Sequence, residues 1–464
     1  MLDRAVLAVI FFSILFWLFR VRPAFGTVAS LVYLALIGGV RRWLIPLVGY
    51  SGNDPLLLVV PAVLVARAMT LRKQKGVHHS SRLTTMTLWL LGLMLLQACN
   101  PLQEEIAVGI GGIVFYVIPM LWFFVGRQYG TVGGTRLLLR TIVVIGILAA
   151  SYGLYQTWYG FNAGEMAWLN EMKTKGSYQA LNVGVIRAFS FFTSAAEYAC
   201  FLGITFVVLW AAFLQGSWTA IVPLPLIGVA LFLESSRGII VLTLFASSVI
   251  WAVQGRSRPV WIARGVVALV VGFCGLGWSI SQLEDQEFDE RIDPLIGHQM
   301  EGFADPFSED STAPGHADRV QSGIWYGITH PWGAGLGATT IAAGKFGGSD
   351  LGTEGDLSNL FVSLGIVGGI LYAAVIFMAL KTALEFWRLT RHWISLSIVG
   401  ILVVQILNWL NTGQYSTVML IWFLLGSMEG ILAQLRMRMA SLHEERRSTH
   451  SIPSELGEAG TRYA

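Results

Sequence analysis

Ile106–Val125 reads IAVGIGGIVFYVIPMLWFFV, twenty consecutive residues without a formal charge. As a helix rising 1.5 Å per residue, such a run is about 30 Å long, the thickness of a bilayer hydrocarbon core. In hydrocarbon every backbone N–H and C=O must be satisfied inside the segment, and a helix satisfies them. The run therefore predicts a membrane-spanning helix and an all-α chain.

The pattern repeats in both directions. Apolar runs stand at Ala5–Leu18, Phe25–Val40, Pro55–Ala68, Met86–Ala98, Ile142–Trp158, Phe201–Phe213, Ile221–Leu233, Ile239–Val253, Ile262–Ile280, Leu360–Leu380, Ile394–Leu410 and Val418–Leu432. Together they predict a polytopic transmembrane bundle of about 12–13 spans. Composition agrees: 55% of the 464 residues are hydrophobic and 13% charged, against roughly 25% charged in a soluble domain. The first run is followed by Arg20 and Arg22 and lacks a small-residue cleavage site. It is expected to stay as a helix. Cys99, Cys200 and Cys274 lie in or beside apolar runs and read as packing residues.

The net charge of +3 says less than its distribution. Basic clusters at 72–75, 127–140, 255–264 and 381–391, and in the tail from Arg436, are mutually consistent on the cytoplasmic side. The connections at 100–105, 160–189, 234–238 and 281–356 then lie outside. Arg41 and Arg42 break the pattern by falling outside with them. The expected organisation is N-terminal helices over 1–280, one large periplasmic loop over 281–356, C-terminal helices over 357–434, and a polar, disordered cytoplasmic tail over 435–464. From Ser281 to Asp318 the large loop holds 11 acidic residues and one arginine, with Pro294, Pro306 and Pro314, and reads as mostly irregular. Arg319–Ile328 (RVQSGIWYGI) then predicts an amphipathic interfacial helix opened by Arg319, followed by a glycine-rich turn, Pro331–Thr340 (PWGAGLGATT).

Several polar residues stand at the ends of apolar runs. Arg237, in Glu234–Gly238 (ESSRG), is squeezed between two of them. It reads as an anion ligand, because a guanidinium holds phosphate through two hydrogen bonds and keeps its charge. The alternative is an arginine snorkelling from a helix end. Arg319 and Arg187 carry the same two readings. Glu354 and Asp356 precede the Leu360 run. They read as a general-base pair or as acids favoured by a helix dipole. Glu197, at the start of another run, is equally open. His298, His316 and His330 have no metal-ligand spacing, so no metal is expected. Gly333–Gly337 lacks the strand and βαβ unit of a dinucleotide site, and no Walker A sequence occurs. No internal repeat is visible.

Four segments in this order resemble the O-antigen ligase and polymerase superfamily of bacterial envelope proteins: Ile186–Tyr198 (IRAFSFFTSAAEY), Glu234–Gly238 (ESSRG), Arg319–Gly337 (RVQSGIWYGITHPWGAGLG) and Thr353–Gly369 (TEGDLSNLFVSLGIVGG). Ligases of that family carry a histidine–asparagine pair where this chain has Glu354-Gly355, which is closer to the polymerases. The resemblance implies a bundle of the GT-C-like glycosyltransferase type in the bacterial inner membrane, with its active site facing the periplasm. The implied activity is inverting, metal-independent polymerisation of undecaprenyl-diphosphate-linked repeat units into O-antigen or exopolysaccharide. Arg237 and Arg319 would grip the donor diphosphate, Glu354 would be the base, and Asp356 would be its alternative. Arg187, Arg41 and Arg42 would line the diphosphate groove. Trp325, Tyr326, Trp332 and Glu197 would meet sugar or lipid. The implied partners are donor and acceptor lipid-linked glycans, membrane lipids, a chain-length regulator and export machinery; no cofactor or nucleic acid is expected. A ligase acting on lipid A or protein, and a flippase of lipid-linked oligosaccharide, are the competing readings.

Overall fold

The computed structural model describes residues 2–69, 81–173, 185–255, 257–282, 286, 288–305 and 312–450. The architecture is all-α, and the apolar runs predicted above lie on helices, except that Ile394–Leu410 is helical only as far as Val404 and continues as a turn. Among the described residues, eight helices are long and apolar enough to cross a membrane: Arg4–Val21, Pro23–Trp43, Ile106–Tyr129, Val132–Tyr159, Ala195–Leu214, Arg258–Ser281, Asp356–Thr390 and Tyr415–Leu442. Four shorter apolar helices, Pro55–Ala68, Trp218–Glu234, Arg237–Ala252 and Trp393–Val404, pack among them. The chain is therefore a multi-pass helical membrane protein with eight candidate spans among the described residues.

Arg258–Ser281 makes the point most directly. It is 24 residues long and none of them is buried by the protein. Its outward-facing residues include Ile262, Val271 and Trp278, each more than 60% exposed. An apolar face of that extent is stable against lipid and not against water. By contrast Ala195–Leu214 is buried almost along its whole length, with Phe201, Leu202, Ile204 and Val207 fully enclosed, and forms the centre of the bundle.

The connections gather at two ends. At one end Asn100 Nδ2 donates to Gly333 O (3.3 Å), Thr193 Oγ1 to Gly413 O (3.1 Å), Arg291 Nη1 to Trp158 O (2.9 Å), and Lys345 reaches Asn53. At the other, Arg67 Nη2 donates to the Tyr129 hydroxyl (2.5 Å), Gln215 Nε2 to Gln254 Oε1 (3.1 Å), and Trp387 Nε1 to Val253 O (3.1 Å). Arg41 and Arg42 lie at the first end, and there they are held. Arg42 donates to Phe192 O (2.7 Å) and Ser190 O (2.8 Å), and Arg41 to Asp54 (3.1 Å).

Three expectations for the loops and tail change. The Ser281–Asp318 stretch is not mostly irregular: Asp293–Ala304 is a helix, and the next helix, Thr312–Thr329, begins seven residues before Arg319. Pro294 and Pro314 fall in the first turns of these helices. A missing N–H costs nothing there, so the prolines start the helices and do not break them. The last helix, Tyr415–His450, continues through the first part of the expected disordered tail; 451–464 lies outside the described residues.

One long helix is interrupted at a glycine. Within Asp356–Thr390, Gly365 has φ 70° and ψ −171°, far from helical values. The break frees the carbonyls of Val362 and Ser363. The glycine-rich turn enters the gap: Ala334 N–H donates to Val362 O (2.8 Å) and Gly335 N–H to Ser363 O (3.1 Å). Irregular backbone is tolerated at membrane depth only when protein satisfies it. Here the turn does so, and Ala334, Leu336, Ala338 and Thr340 are buried as a result. On its far side the turn is held by the C-terminal end of the Arg82–Gln97 helix, through Gln97 Nε2 to Trp332 O (2.8 Å) and Leu336 N–H to Gln97 O (3.1 Å).

Candidate functional site

The Thr312–Thr329 helix lies against the first half of Asp356–Thr390, and glycines set the approach. A Cβ on Gly327 would sit 2.5 Å from Phe361 O, and one on Gly323 would sit 2.9 Å from Ser358 Cβ. Two glycines four residues apart are the small-residue stripe that lets membrane helices touch. Arg319 is four residues before Gly323, so helical periodicity puts it on the same stripe. Its guanidinium Nη1 donates to Glu354 Oε1 at 3.0 Å, and His316 Nδ1 is 3.0 Å from the same oxygen.

Glu354 is positioned by its own turn. Thr353 N–H donates to Asn359 Oδ1 (2.8 Å), Thr353 Oγ1 to Ser358 Oγ (2.8 Å), and the Ser358 hydroxyl reaches Glu354 O. The side chains of Arg319 and Glu354 are 63% and 34% exposed. An ion pair so open to solvent contributes about 0–1 kcal/mol to stability. The pair is therefore accessible to a ligand and is not needed to hold the fold. Trp325 lies six residues further along the same helix and Trp332 beyond its end, beside the helix break at Gly365; both are exposed, 64% and 80%. Tyr326 is half-buried and stacks on His330 with centroids 4.1 Å apart.

A second cationic group forms where Arg237 begins its helix. Arg187 Nη1 lies 3.5 Å from Glu234 Oε1. The Asp293–Ala304 helix covers this turn, with Gln299 Nε2 donating to Phe232 O (2.9 Å). Gly302 makes room for Arg237: a Cβ there would fall 1.1 Å from Arg237 Nη1. His298 is on the same helix. Burial, and then the positive charge of Arg237, push its imidazole below the ordinary value of 6.5; Arg187 adds to the effect and Glu301 opposes it. Arg187, Arg237 and His298 are thus gathered with Glu234 and Glu301. Arg319 is engaged elsewhere, on Glu354.

The other predicted site residues are placed as structural ties. Asp356 is buried; its Oδ2 accepts from Leu410 N–H (2.6 Å) and from the Tyr372 hydroxyl (3.2 Å). Glu197 is fully buried, accepting from Ser416 N–H and Oγ (2.7 Å each) and from Thr193. Arg42 is buried with its guanidinium over the Phe189 ring, 4.4 Å from the centroid. Its two carbonyl bonds shape the turn from Ser190 to Phe192. Arg41 lies with Arg4 on the Asp54 carboxylate, away from Glu354.

Sequence reading weighed His316 only as a metal ligand and passed over the Gly323/Gly327 stripe. The stripe was visible as G-x-x-x-G; His316 carried no signal beyond its distance of three residues from Arg319. It also passed over Tyr116, Thr339 and Ser363, whose hydroxyls form a buried chain at 2.9 and 2.7 Å beneath the inserted turn. Among the described residues no group of three or more His, Cys, Asp and Glu is arranged to hold a metal ion. Comparison with protein families, with curated proteins and with solved structures finds no match for this chain.

Proposed function

We propose that the protein is a membrane glycosyltransferase that polymerises undecaprenyl-diphosphate-linked repeat units on the periplasmic face of a bacterial inner membrane. The observation that carries the reading is the exposed Arg319–Glu354 pair at the start of a broken membrane helix. A cation and a carboxylate at 3.0 Å offer the two functions such a transfer needs at one place.

In this reading Glu354 takes the proton from the acceptor hydroxyl as that oxygen bonds to the donor's anomeric carbon. The bond from that carbon to the diphosphate oxygen breaks, and its electron pair leaves with undecaprenyl diphosphate. Attack from the side opposite the leaving group inverts the anomeric centre. Arg319 and the Arg187–Arg237 group are cations that stabilise the charge growing on the diphosphate, an effect that strengthens as the bound substrates displace water. Because Arg319 rests on Glu354, an arriving diphosphate competes for the arginine and releases the carboxylate to act as base.

The test is direct. Purified protein in liposomes is given a lipid-linked repeat unit, and product length is read on a gel. A ladder that disappears with Glu354→Gln supports the proposal. Movement of substrate across the bilayer without elongation overturns it in favour of a flippase. Transfer only to a non-identical acceptor overturns it in favour of a ligase.

A further inference from the structure

A cavity separate from the Arg319–Glu354 and Arg187–Arg237 groups lies among the helices. It is a half-open groove of about 530 Å³ between the Pro55–Ala68, Ile106–Tyr129 and Tyr415–Leu442 helices, closed at one end by the short Ile341–Phe346 helix. Its walls are apolar along the helices, with Leu57, Val114, Phe115, Trp122 and Val418 prominent. Its rim residues Leu58, Ile110 and Ile341 are each more than half exposed on the lipid-facing side. Ile106–Tyr129 is itself irregular there: a π-turn over Ile113–Val117 and then Pro119 interrupt it where it lines the groove. Such interruptions in a membrane helix are frequent at functional places.

The polar mouth is cationic. Lys345 lies at the rim and reaches Asn53. The single carboxylate in the lining, Asp54, is already shared by Arg4 and Arg41. Arg4 and Arg41 neutralise that carboxylate from behind, so Lys345 is the cation the mouth presents among its lining residues.

We propose that this groove is a lipid site that holds one acyl chain of an anionic glycerophospholipid, with its phosphate at Lys345. Ligand sites are typically cavities of about 300–1,000 Å³ with apolar walls and a few placed polar groups. The apolar walls that run along the helices suit an acyl chain, and the cation at the mouth suits a phosphate. The exposed apolar rim suits a lipid, and the cation at the mouth selects an anionic head. The site is independent of the glycosyltransferase reading.

The full chain, reconstituted in nanodiscs of equal phosphatidylglycerol and phosphatidylcholine, is released and weighed by native mass spectrometry. The wild type is expected to retain one phosphatidylglycerol in preference to phosphatidylcholine. Lys345→Glu, at an exposed position, is expected to lower that preference about tenfold by reversing the head-group contact. Val114→Trp fills the groove and is expected to reduce retention of both lipids. Absence of retained lipid, equal retention of the two lipids, or a preference unchanged by Lys345→Glu overturns the proposal. So does displacement of the phospholipid by an equimolar amount of undecaprenyl phosphate. If Val114→Trp does not fold, the Lys345→Glu comparison alone decides.

Discussion

Arg319 and Glu354, 35 residues apart in the chain, meet at 3.0 Å through a single oxygen, Oε1, that His316 also contacts. The meeting depends on two glycines that bring the Thr312–Thr329 helix onto the start of Asp356–Thr390. Because the pair is exposed, its removal tests chemistry more than folding. Glu354→Gln is expected to slow elongation by about 10²–10⁴-fold, the usual contribution of a general base, with an unchanged melting temperature. Arg319→Ala should also be slow, and the double variant no slower than the worse single one. Full additivity in a product-ladder assay would show that the two side chains act separately.

Gly302→Ala isolates Arg237 without removing it. The added methyl collides with the guanidinium and must move it. Gly302 sits in a helix at ordinary dihedral angles, where alanine is the better helix former by about 1 kcal/mol. Elongation should fall while thermal stability holds. Unaltered elongation would mean that the present position of Arg237 is irrelevant to activity.

Gly365→Ala attacks the fold. Alanine at φ 70° is strained, and its methyl would lie 2.0 Å from Pro331 O. The loss is expected to be on the order of 2–4 kcal/mol, combining backbone strain and displacement of the inserted turn. Thermal unfolding in detergent measures it; a variant as stable as the wild type would show that the break is not required.

Arg42→Met leaves the buried Phe192 carbonyl without its donor, while Ser190 O keeps its bond from Gln156 Nε2 (3.2 Å). An orphaned carbonyl costs about 1–3 kcal/mol. The variant should unfold at a markedly lower temperature, and Arg42→Lys should rescue it only in part, since one ammonium cannot reproduce the planar two-point contact. Arg41→Ala, at a half-exposed position beside it, should cost less.

His298 carries a pH signature. Its imidazole is held below 6.5 by burial and by Arg237 and Arg187. Between that ordinary value and the lower native one, the unfolded chain binds the proton and the native state does not. Stability is therefore unaffected well above 6.5 and declines as pH falls through it, until the native group also protonates. Melting temperatures of wild type and His298→Gln are compared from pH 8 to pH 5. The wild type should lose stability relative to the variant as the pH drops. Parallel curves would sink the assignment.

Hydropathy alone located the helices, because the preference of a twenty-residue stretch for lipid is a local sum over its own side chains. That is why Ile106–Val125 and its counterparts read correctly as helices, while the prolines at 294 and 314, which act only through their place in a helix, were misread as loop. The types of residue at the candidate site were also legible: an arginine, a carboxylate and tryptophans at the ends of apolar runs. Which of them meet was not. Arg41, Arg42 and Arg319 look alike in sequence, yet one shares a carboxylate with Arg4, one is sealed onto two carbonyls, and one stands open against Glu354. Glu354 and Asp356 differ by two positions, and the non-helical turn at Gly355 buries the second against Leu410 at the helix start while leaving the first accessible. These outcomes depend on how helices rotate and pack against partners far away in the chain, which only the tertiary structure decides.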